Sequence, residues 1–207
     1  MMKKIMTVVV LVTFTLVSFT GFQKNKKVVT SNKVSIALIS DGIVNLKSSV
    51  IKWKGFKPTG SHNGTVLLKE GTMKVKRGKL KGGTFVVDMT TIKDTDRNKR
   101  LEKHLNSADF FDVKKYQTAT FVITKVKGKK ENMMVTGNMT IKDVTKSITI
   151  SASIFEIEGV VTFKSETFKI NRADFNVKYK SKSFFANLKD KFINDMIEMS
   201  FEVKSTK

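Results

Sequence analysis

His62 and His104 are the only histidines in the chain, and there is no cysteine. Histidine and cysteine are the residues from which most zinc sites, cysteine nucleophiles and disulfides are built. The spacing of the two histidines matches no metal-binding pattern, so we expect no metal site. We interpret His104 as a helix residue that holds the segment Phe110–Phe111 in place, and His62 as a turn residue.

Three carboxylates, Asp94, Asp96 and Glu102, lie close enough in sequence to suggest a metal site or an acid/base pair. A structural role explains them better: Asp94, Thr95 or Asp96 caps a helix that follows, and Glu102 faces solvent. Catalysis would also need a nucleophile beside a base, a glycine-rich phosphate loop or a redox motif, and the sequence has none of these. We therefore expect no enzymatic activity, no catalytic residue and no cofactor.

Arg172 and Asp174 are two opposite charges beside Phe175. Near the mouth of a barrel, such a pair could hold the head group of a ligand. A structural ion pair is the alternative, and it is the better supported of the two uses.

The elements that must position these residues are mostly strands. Apolar side chains recur at every second position, as in Met133, Val135, Met139 and Ile141. A period of two predicts β-strands with one buried face. Nine segments are predicted as strands: 34–39, 45–54, 65–76, 79–89, 118–127, 133–142, 146–157, 160–171 and 193–204.

One segment, 97–121, departs from this alternation. Leu101, Leu105 and Ala108 fall at i, i+4 and i+7, which places them on one side of a helix. The pattern predicts one short helix near 97–108, and a short helical turn is predicted near 183–191. We expect the helix to cover one end of the fold, with Phe110 and Phe111 turned inward.

The joints between most predicted strands are short, so consecutive strands should pair antiparallel. An open sheet of this kind would leave two exposed edges, and closure removes them. The sequence therefore predicts an all-β fold, an antiparallel up-and-down β-barrel of about eight strands. The interior of such a barrel is either packed with side chains or holds one slender ligand, and the sequence pattern does not choose between these.

The first residues have the pattern of an export signal. Lys3 and Lys4 precede the apolar stretch Ile5–Phe19, and the charged stretch Lys24–Lys27 follows it. An uncleaved membrane anchor is the alternative. We divide the chain into a signal peptide at 1–21, a linker at 22–40 and a barrel domain at 41–207, and we expect export to the periplasm or the exterior.

The formal net charge is +21, and nearly all of the basic residues are lysine. Proteins that recognise specific bases or phosphates usually do so with arginine side chains. Because the basic residues here are mostly lysine, we expect no specific nucleic-acid partner. Most lysines occupy alternate strand positions that are predicted to face solvent. The alternative, which has less support, is that some of these lysines contact an anionic membrane surface. The sequence does not determine the oligomeric state, and a homodimer is one possibility.

Six blocks in order carry a family resemblance. They are WKGFKPTGSHNGT at 53–65, FVVDMTTIKDTD at 85–96, HLNSADFFDVKKYQTATF at 104–121, GNMTIKDVTKSITI at 137–150, FKINRADFNVKY at 168–179 and SFFANLKDKFINDMIEM at 183–199. Together they resemble the YceI-like family of exported, lipocalin-like proteins associated with polyisoprenoids and related lipids. Gln117, Asn176 and Asp143 depart from residues common in that family, which affects turn geometry more than fold.

The resemblance implies a lipocalin-like barrel that binds, carries or sequesters a long-chain apolar amphiphile, either a polyisoprenoid, an isoprenoid quinone or a fatty-acid derivative. Aromatic residues on buried strand faces are commonly ordinary core, and the resemblance favours cavity lining for the set as a whole. The alternative function is a basic surface-binding protein for anionic membrane or nucleic acid, with no interior ligand. The candidate cavity-lining residues are Trp53, Phe85, Phe121, Phe163, Phe168, Phe175 and Arg172.

Overall fold

Residues 39–206 of the protein are described by a computed structural model, and they form ten β-strands, one α-helix and three short 3-10 helices. The predicted signal peptide, most of the predicted linker and nearly all of the first predicted strand lie outside the described residues. Within 39–206, no helix is long and apolar enough to cross a bilayer.

The helices and strands have the following bounds. The α-helix, α1, is Lys99–Asn106, and the 3-10 helices are Leu46–Ser48, Arg172–Phe175 and Lys189–Lys191. The strands are β1 Ile39–Ile43, β2 Val50–Lys57, β3 Gly60–Lys76, β4 Lys79–Asp94, β5 Thr118–Lys129, β6 Asn132–Ile141, β7 Val144–Ile157, β8 Val160–Ser165, β9 Phe168–Asn171 and β10 Met196–Lys204.

The strands close into a barrel with eight walls. From β2 to β8 each strand pairs antiparallel with the next strand along the chain, and β10 pairs with β2 to complete the ring. Two walls consist of two strands each, because β1 and β2 pair with successive parts of β3, and β8 and β9 pair with successive parts of β10. The predicted antiparallel up-and-down barrel of about eight strands is confirmed.

Three hairpin turns show why the strands follow one another directly. In each of them both central residues have positive φ: 53° and 67° at Arg77–Gly78, 49° and 58° at Lys142–Asp143, and 49° and 80° at Glu158–Gly159. Two such residues make a type I′ turn, whose twist matches the twist of the paired strands. These turns lie at or within one residue of the predicted joints.

Several predicted boundaries were wrong. β2 runs to Lys57 and β3 begins at Gly60, so only two residues separate strands that were predicted to end at 54 and begin at 65. His62, predicted as a turn residue, therefore lies in a strand. The predicted strand at 160–171 is split into β8 and β9. The helical turn predicted at 183–191 is present only as the 3-10 helix Lys189–Lys191.

The start of α1 also differs from the prediction. The capping residue is Asn98, whose side-chain oxygen accepts a hydrogen bond from the N–H of Leu101 at 3.0 Å. The reason is that β4 continues to Asp94, five residues beyond its predicted end, so the helix starts later. Asp94 instead accepts from the N–H of Asn98 at 3.2 Å.

Glu102, predicted to face solvent, is buried against the turn that joins β4 to α1. Its carboxylate accepts from the N–H of Asp94 at 3.2 Å and from Lys99 Nζ at 2.9 Å. The hydrogen bond from Lys99 is the largest cause that lowers the pKa of Glu102, and the bond from Asp94 adds to it. The carboxylate therefore ties the helix to the end of β4.

The two halves of the barrel interior are different. We call the end that carries α1 and the segments 95–117 and 172–195 the helix end, and the end that carries the turns 77–78, 130–131 and 158–159 the turn end. Toward the turn end the interior is filled by buried side chains. They include Met73, Leu80, Val135, Ile154 and Phe163. Toward the helix end the interior holds a cavity.

Candidate ligand-binding cavity

The cavity occupies the half of the barrel next to the helix end and has a volume of about 630 Å³. Every one of the eight walls contributes apolar side chains to it. A volume of this size is typical of pockets that enclose a small apolar ligand. Members of the apolar lining are Ile51, Trp53, Val66, Leu68, Phe85, Val87, Met89, Ala119, Phe121, Met139, Ile148, Ile150, Phe168, Ile170, Ile197, Met199 and Phe201.

Aromatic side chains separate the cavity from the packed half. The ring of Phe163, which is fully buried, lies 5.9 Å from the ring of Phe85 and 4.8 Å from that of Phe201. Phe201 also contacts Phe168 at 6.4 Å between ring centroids. Phe85, Phe168 and Phe201 line the cavity and Phe163 does not. Phe163 therefore supports the floor of the cavity from below.

Two cavity-lining aromatics lie directly over glycines of the neighbouring strand. A Cβ atom on Gly64 would come within 2.8 Å of the Trp53 ring, and a Cβ on Gly137 would come within 2.5 Å of the Phe121 ring. Real Cβ atoms do not approach other atoms this closely. At Gly137 the absence of a Cβ leaves room for the Phe121 ring, whereas at Gly64 it leaves room first for the carbonyl oxygen of Lys93 on β4 and then for the Trp53 ring.

Helix α1 and the segment after it cover the helix end. Leu101, His104 and Leu105 of α1 line the cavity, as do Phe110 and Phe111. The His104 ring contacts Phe110 edge-on at 5.6 Å, a contact that agrees with the predicted role of this histidine beside the Phe110–Phe111 segment. Both phenylalanines face inward, as predicted.

Arg172 is 1% exposed and holds the cover together through the main chain. Its guanidinium donates to the carbonyl oxygens of Val177 at 2.6 Å, Ile193 at 2.9 Å and Asn194 at 3.1 Å. Burial lowers the pKa of Arg172, and the carboxylate of Asp195, 3.1 Å away, opposes that shift. An arginine stays protonated nonetheless.

The predicted pair of Arg172 with Asp174 is wrong. Asp174 accepts from the side chain of Asn171, at 3.2 Å, and Arg172 pairs with Asp195 instead. The cause is strand pairing, because the end of β9 lies beside the start of β10 and the N–H of Arg172 donates to the carbonyl of Asp195 at 2.8 Å. Of the two predicted uses of Arg172, a structural ion pair or a contact to a ligand head group, the structural ion pair is observed.

The mouth of the cavity is basic. Lys57, Arg100, Lys180 and Lys191 line it, and Asp190 is the acidic residue beside them. Within residues 39–206, none of these four basic groups has a carboxylate oxygen within 4.0 Å. A positive field from unpaired groups at an apolar opening favours a negatively charged or strongly polar head group there.

The predicted site residues divide into two groups. Trp53, Phe85, Phe121, Phe168 and Arg172 lie on the cavity wall, whereas Phe163 and Phe175 are buried beside it and do not line it. The residues that sequence reasoning missed include apolar members of β7 and β10 and the basic residues of the mouth. Alternation identifies the former as buried, but no sequence signal brings the four basic residues of the mouth together.

His62 has a place in the site that the sequence did not predict. It lies in β3, lines the cavity, and its Nδ1 is 3.8 Å from the buried carboxylate of Asp94. In the described part of the chain, no three His, Cys, Asp or Glu side chains are grouped so that they could hold a metal ion.

An eight-walled barrel with a cavity under a helical cover defines a class of lipocalin-like barrels, and comparisons identify the family. The family model of the YceI-like domain matches residues 43–205. The chain belongs to the YceI-like family.

Two relatives show how far the sequence similarity extends. Protein YceI of Escherichia coli is 37% identical over 103 residues, which cover 43% of this chain and 49% of that protein. Protein YceI of Salmonella arizonae is 36% identical over 98 residues, which cover 41% and 46%. The chain spans about half the length of the curated relatives it matches.

Solved structures with the same fold extend over nearly the whole barrel. BcnA of Burkholderia cenocepacia has a TM-score of 0.66 at 20% identity and covers 79% of this chain and 99% of that one. A polyisoprenoid binding domain from Saccharophagus degradans, implicated in plant cell wall breakdown, has a TM-score of 0.62 at 13% identity and covers 80% and 98%. The YCEI protein of Campylobacter jejuni has a TM-score of 0.53 at 21% identity and covers 91% and 99%.

Proposed function

We propose that the protein binds the apolar chain of a long amphiphile inside the barrel and carries or sequesters it in the cell envelope. The amphiphile is a polyisoprenoid, an isoprenoid quinone or a fatty-acid derivative. The observation that carries this proposal is the cavity of about 630 Å³, lined by apolar side chains from all eight walls and open at a basic mouth. The proposed location rests on the signal-like pattern of residues 1–21.

Binding in this cavity is driven by burial of methylene groups. Each buried methylene contributes about 0.8 kcal/mol, so on the order of ten contribute roughly 8 kcal/mol. Association costs at least about 4 kcal/mol, so short chains bind weakly. Affinity then rises about fourfold for each methylene until the cavity is filled. Methionines such as Met89, Met139 and Met199 adapt the wall to chains of irregular shape.

The ligand has a defined orientation in this proposal. Its chain runs toward the aromatic floor, where it contacts Phe85, Phe121 and Phe168, and it passes Trp53 on the way. Its head group stays at the mouth beside Lys57, Arg100, Lys180 and Lys191, which favour a carboxylate or a phosphate. Phe163 and Phe175 support the wall without contacting the ligand, and Arg172 holds the cover.

The protein acts in this proposal as a binding protein and not as an enzyme. Membership of the YceI-like family supports binding, and so does the shared fold of the polyisoprenoid binding domain from Saccharophagus degradans. The binding site needs no reacting group, because burial of the chain and orientation of the head group are sufficient for carriage.

The test combines native mass spectrometry with a cavity-blocking variant. The full chain, purified without detergent exchange, should carry a lipid, and palmitate, farnesol and geranylgeraniol should bind with affinities that rise with chain length. Ala119→Trp places a large ring in the cavity from β5, which should displace two or three methylenes and weaken binding roughly 10- to 60-fold. Val122→Trp on the exposed face of the same strand is the matched control and should leave binding unchanged.

Two results would contradict the proposal. One is a protein with no copurifying lipid and no affinity for any member of the chain-length series. The other is an Ala119→Trp variant, folded as judged by circular dichroism, that binds as tightly as the original chain. Binding only to anionic vesicles or DNA, steeply weakened by salt and indifferent to Ala119→Trp, would support the basic surface-binding alternative.

A further inference from the structure

Two adjacent phenylalanines at the mouth of the cavity are exposed. Phe184 is 46% exposed and Phe185 is 49% exposed, and they lie in residues 178–192, which we call the mouth loop. Lys180, Lys191 and Phe192 of this loop line the cavity. The loop contains five lysines and one acidic residue, Asp190. The mouth loop therefore presents two exposed apolar rings that are surrounded in sequence by lysines.

The base of the mouth loop is held in place from below. Asp195 accepts hydrogen bonds from the hydroxyls of Ser181 at 2.8 Å and Ser183 at 2.7 Å, while it pairs with Arg172. The N–H groups of Phe184 and Phe185 donate to the carbonyl of Ser181 at 3.2 and 3.0 Å. The two phenylalanines are therefore displayed outward by a turn whose base is anchored.

Lysines and aromatic rings are interleaved in the mouth loop. Lys178 Nζ lies 4.7 Å from the centre of the Phe184 ring, and Lys182 Nζ lies 3.6 Å from that of Phe192. At a lipid bilayer, aromatic rings enter the boundary between head groups and acyl chains while lysines reach the anionic head groups. The loop carries both groups on one surface.

A second exposed apolar pair gives a contrast within the same molecule. Phe155 and Ile157 are 44% and 63% exposed near the turn end of the barrel, but Glu156 and Glu158 alternate with them. An anionic surface would repel these carboxylates. Charge complementarity with anionic lipid therefore distinguishes the mouth loop from the exposed pair Phe155 and Ile157.

We propose that the mouth loop docks on an anionic lipid bilayer, with Phe184 and Phe185 in the interfacial region and Lys178, Lys182 and Lys189 on the head groups. Because the loop borders the cavity, docking points the mouth toward the bilayer. An apolar chain then passes between bilayer and cavity with little exposure to water. Docking is separate from binding in the cavity, so each can fail without the other.

The first experiment reads out insertion of the loop itself. Trp53, the native tryptophan, is first replaced by phenylalanine in this variant and in its control, so that only the added tryptophan emits. Phe184→Trp in this full-length chain is mixed with vesicles of phosphatidylcholine containing about 30% phosphatidylglycerol, with brominated acyl chains as quenchers. Emission of the added tryptophan should shift to shorter wavelength and be quenched. Phe155→Trp, the matched control at the turn end, should show neither change. Because the readout is local, vesicle binding through any other part of the chain does not produce it.

The second experiment separates the lysines of the loop from the general charge of the protein. Lys178→Gln, Lys182→Gln and Lys189→Gln, made together, should weaken partitioning to these vesicles by about 100-fold. Lys125→Gln, Lys127→Gln and Lys129→Gln remove the same charge from exposed positions of β5 toward the turn end and should weaken it less than about fivefold.

Three results would overturn the proposal: no quenching of the Phe184→Trp chain, equal quenching with pure phosphatidylcholine, or equal losses from the two sets of glutamine substitutions. The proposal would also be overturned if the chain does not bind vesicles and the loop substitutions abolish its binding to DNA. The mouth loop would then be a nucleic-acid-binding surface. Palmitate affinity of the Phe184→Ser, Phe185→Ser chain should stay within about twofold of the original, since the loop pair does not line the cavity.

Discussion

Replacement of Arg172 by methionine tests whether this residue is structural. Methionine keeps much of the length of the side chain and removes the charge together with the donors to Val177, Ile193 and Asn194. Three carbonyl oxygens lose their partner, and the carboxylate of Asp195 keeps only the hydroxyls of Ser181 and Ser183. The change therefore affects one connected set of interactions beneath the mouth loop.

The expected loss of stability in Arg172→Met follows from the burial of this residue. Arg172 is 1% exposed, and removal of one partner from a buried ion pair costs about 3–5 kcal/mol. For a chain of this size each kcal/mol lowers the melting temperature by about 2–4 °C, so the expected decrease is roughly 6–20 °C. Arg172→Lys should recover less than half of this, because an ammonium group cannot reproduce the fork of the guanidinium.

The assay is thermal unfolding followed by circular dichroism, with limited proteolysis as the local readout. Lys103→Met is the matched control, since it removes the same charge from an exposed position of α1 that does not line the cavity, and it should change stability by less than about 0.5 kcal/mol. Cleavage within 178–195 should accelerate in Arg172→Met and not in the control, because Asp195 no longer holds the base of the loop.

One combination of results would refute a structural role for Arg172. If Arg172→Met melts within about 2 °C of the control and binds palmitate much more weakly while farnesol binding is unchanged, Arg172 acts on the ligand head group and its contacts to the main chain contribute little. A large loss of stability with both affinities retained in the folded fraction supports the structural role.

Three further predictions concern the cover and the wall. Glu102→Gln should lower the melting temperature most above pH 4.5, and the difference should shrink as the pH falls through the lowered pKa of the folded carboxylate; a pH-independent difference would contradict this. Gly137→Ala should destabilise the barrel by about 1–3 kcal/mol in urea unfolding, because its Cβ meets the Phe121 ring, whereas Gly55→Ala, whose Cβ meets no atom within 4 Å, should not. Asn98→Ala should cost about 1 kcal/mol by the same measurement, while Asn98→Asp, which keeps an acceptor for the N–H of Leu101, should cost little; equal losses would disprove the cap.

Much of the fold was predictable because it depends on short-range patterns. Alternation in segments such as 133–141 and 148–154 identifies strands with one buried face, and turns such as Arg77–Gly78 and Glu158–Gly159 set their order. The extent of β3 and β4 was not predictable, because His62 and Thr91 do not follow a clean alternation. Pairing across the closed barrel extends these strands beyond the residues whose pattern identifies them.

The candidate site was predictable only in part. Trp53, Phe85, Phe121 and Phe168 could be selected as inward aromatics, but nothing in the sequence separates them from Phe163, which lies beneath the floor. That distinction depends on how far along the barrel each residue lies and on how side chains from eight walls fill the space between them.

The sequence by itself determined the strand order, the helical insertion and the family, because each of these depends on residues that are neighbours along the chain. The tertiary structure decided that one half of the interior is packed and the other is a cavity, since volume is a property of converging side chains. It also decided that Arg172 pairs with Asp195 rather than Asp174. These two residues meet only because β9 lies beside β10, and their contact places the mouth loop at the opening of the cavity.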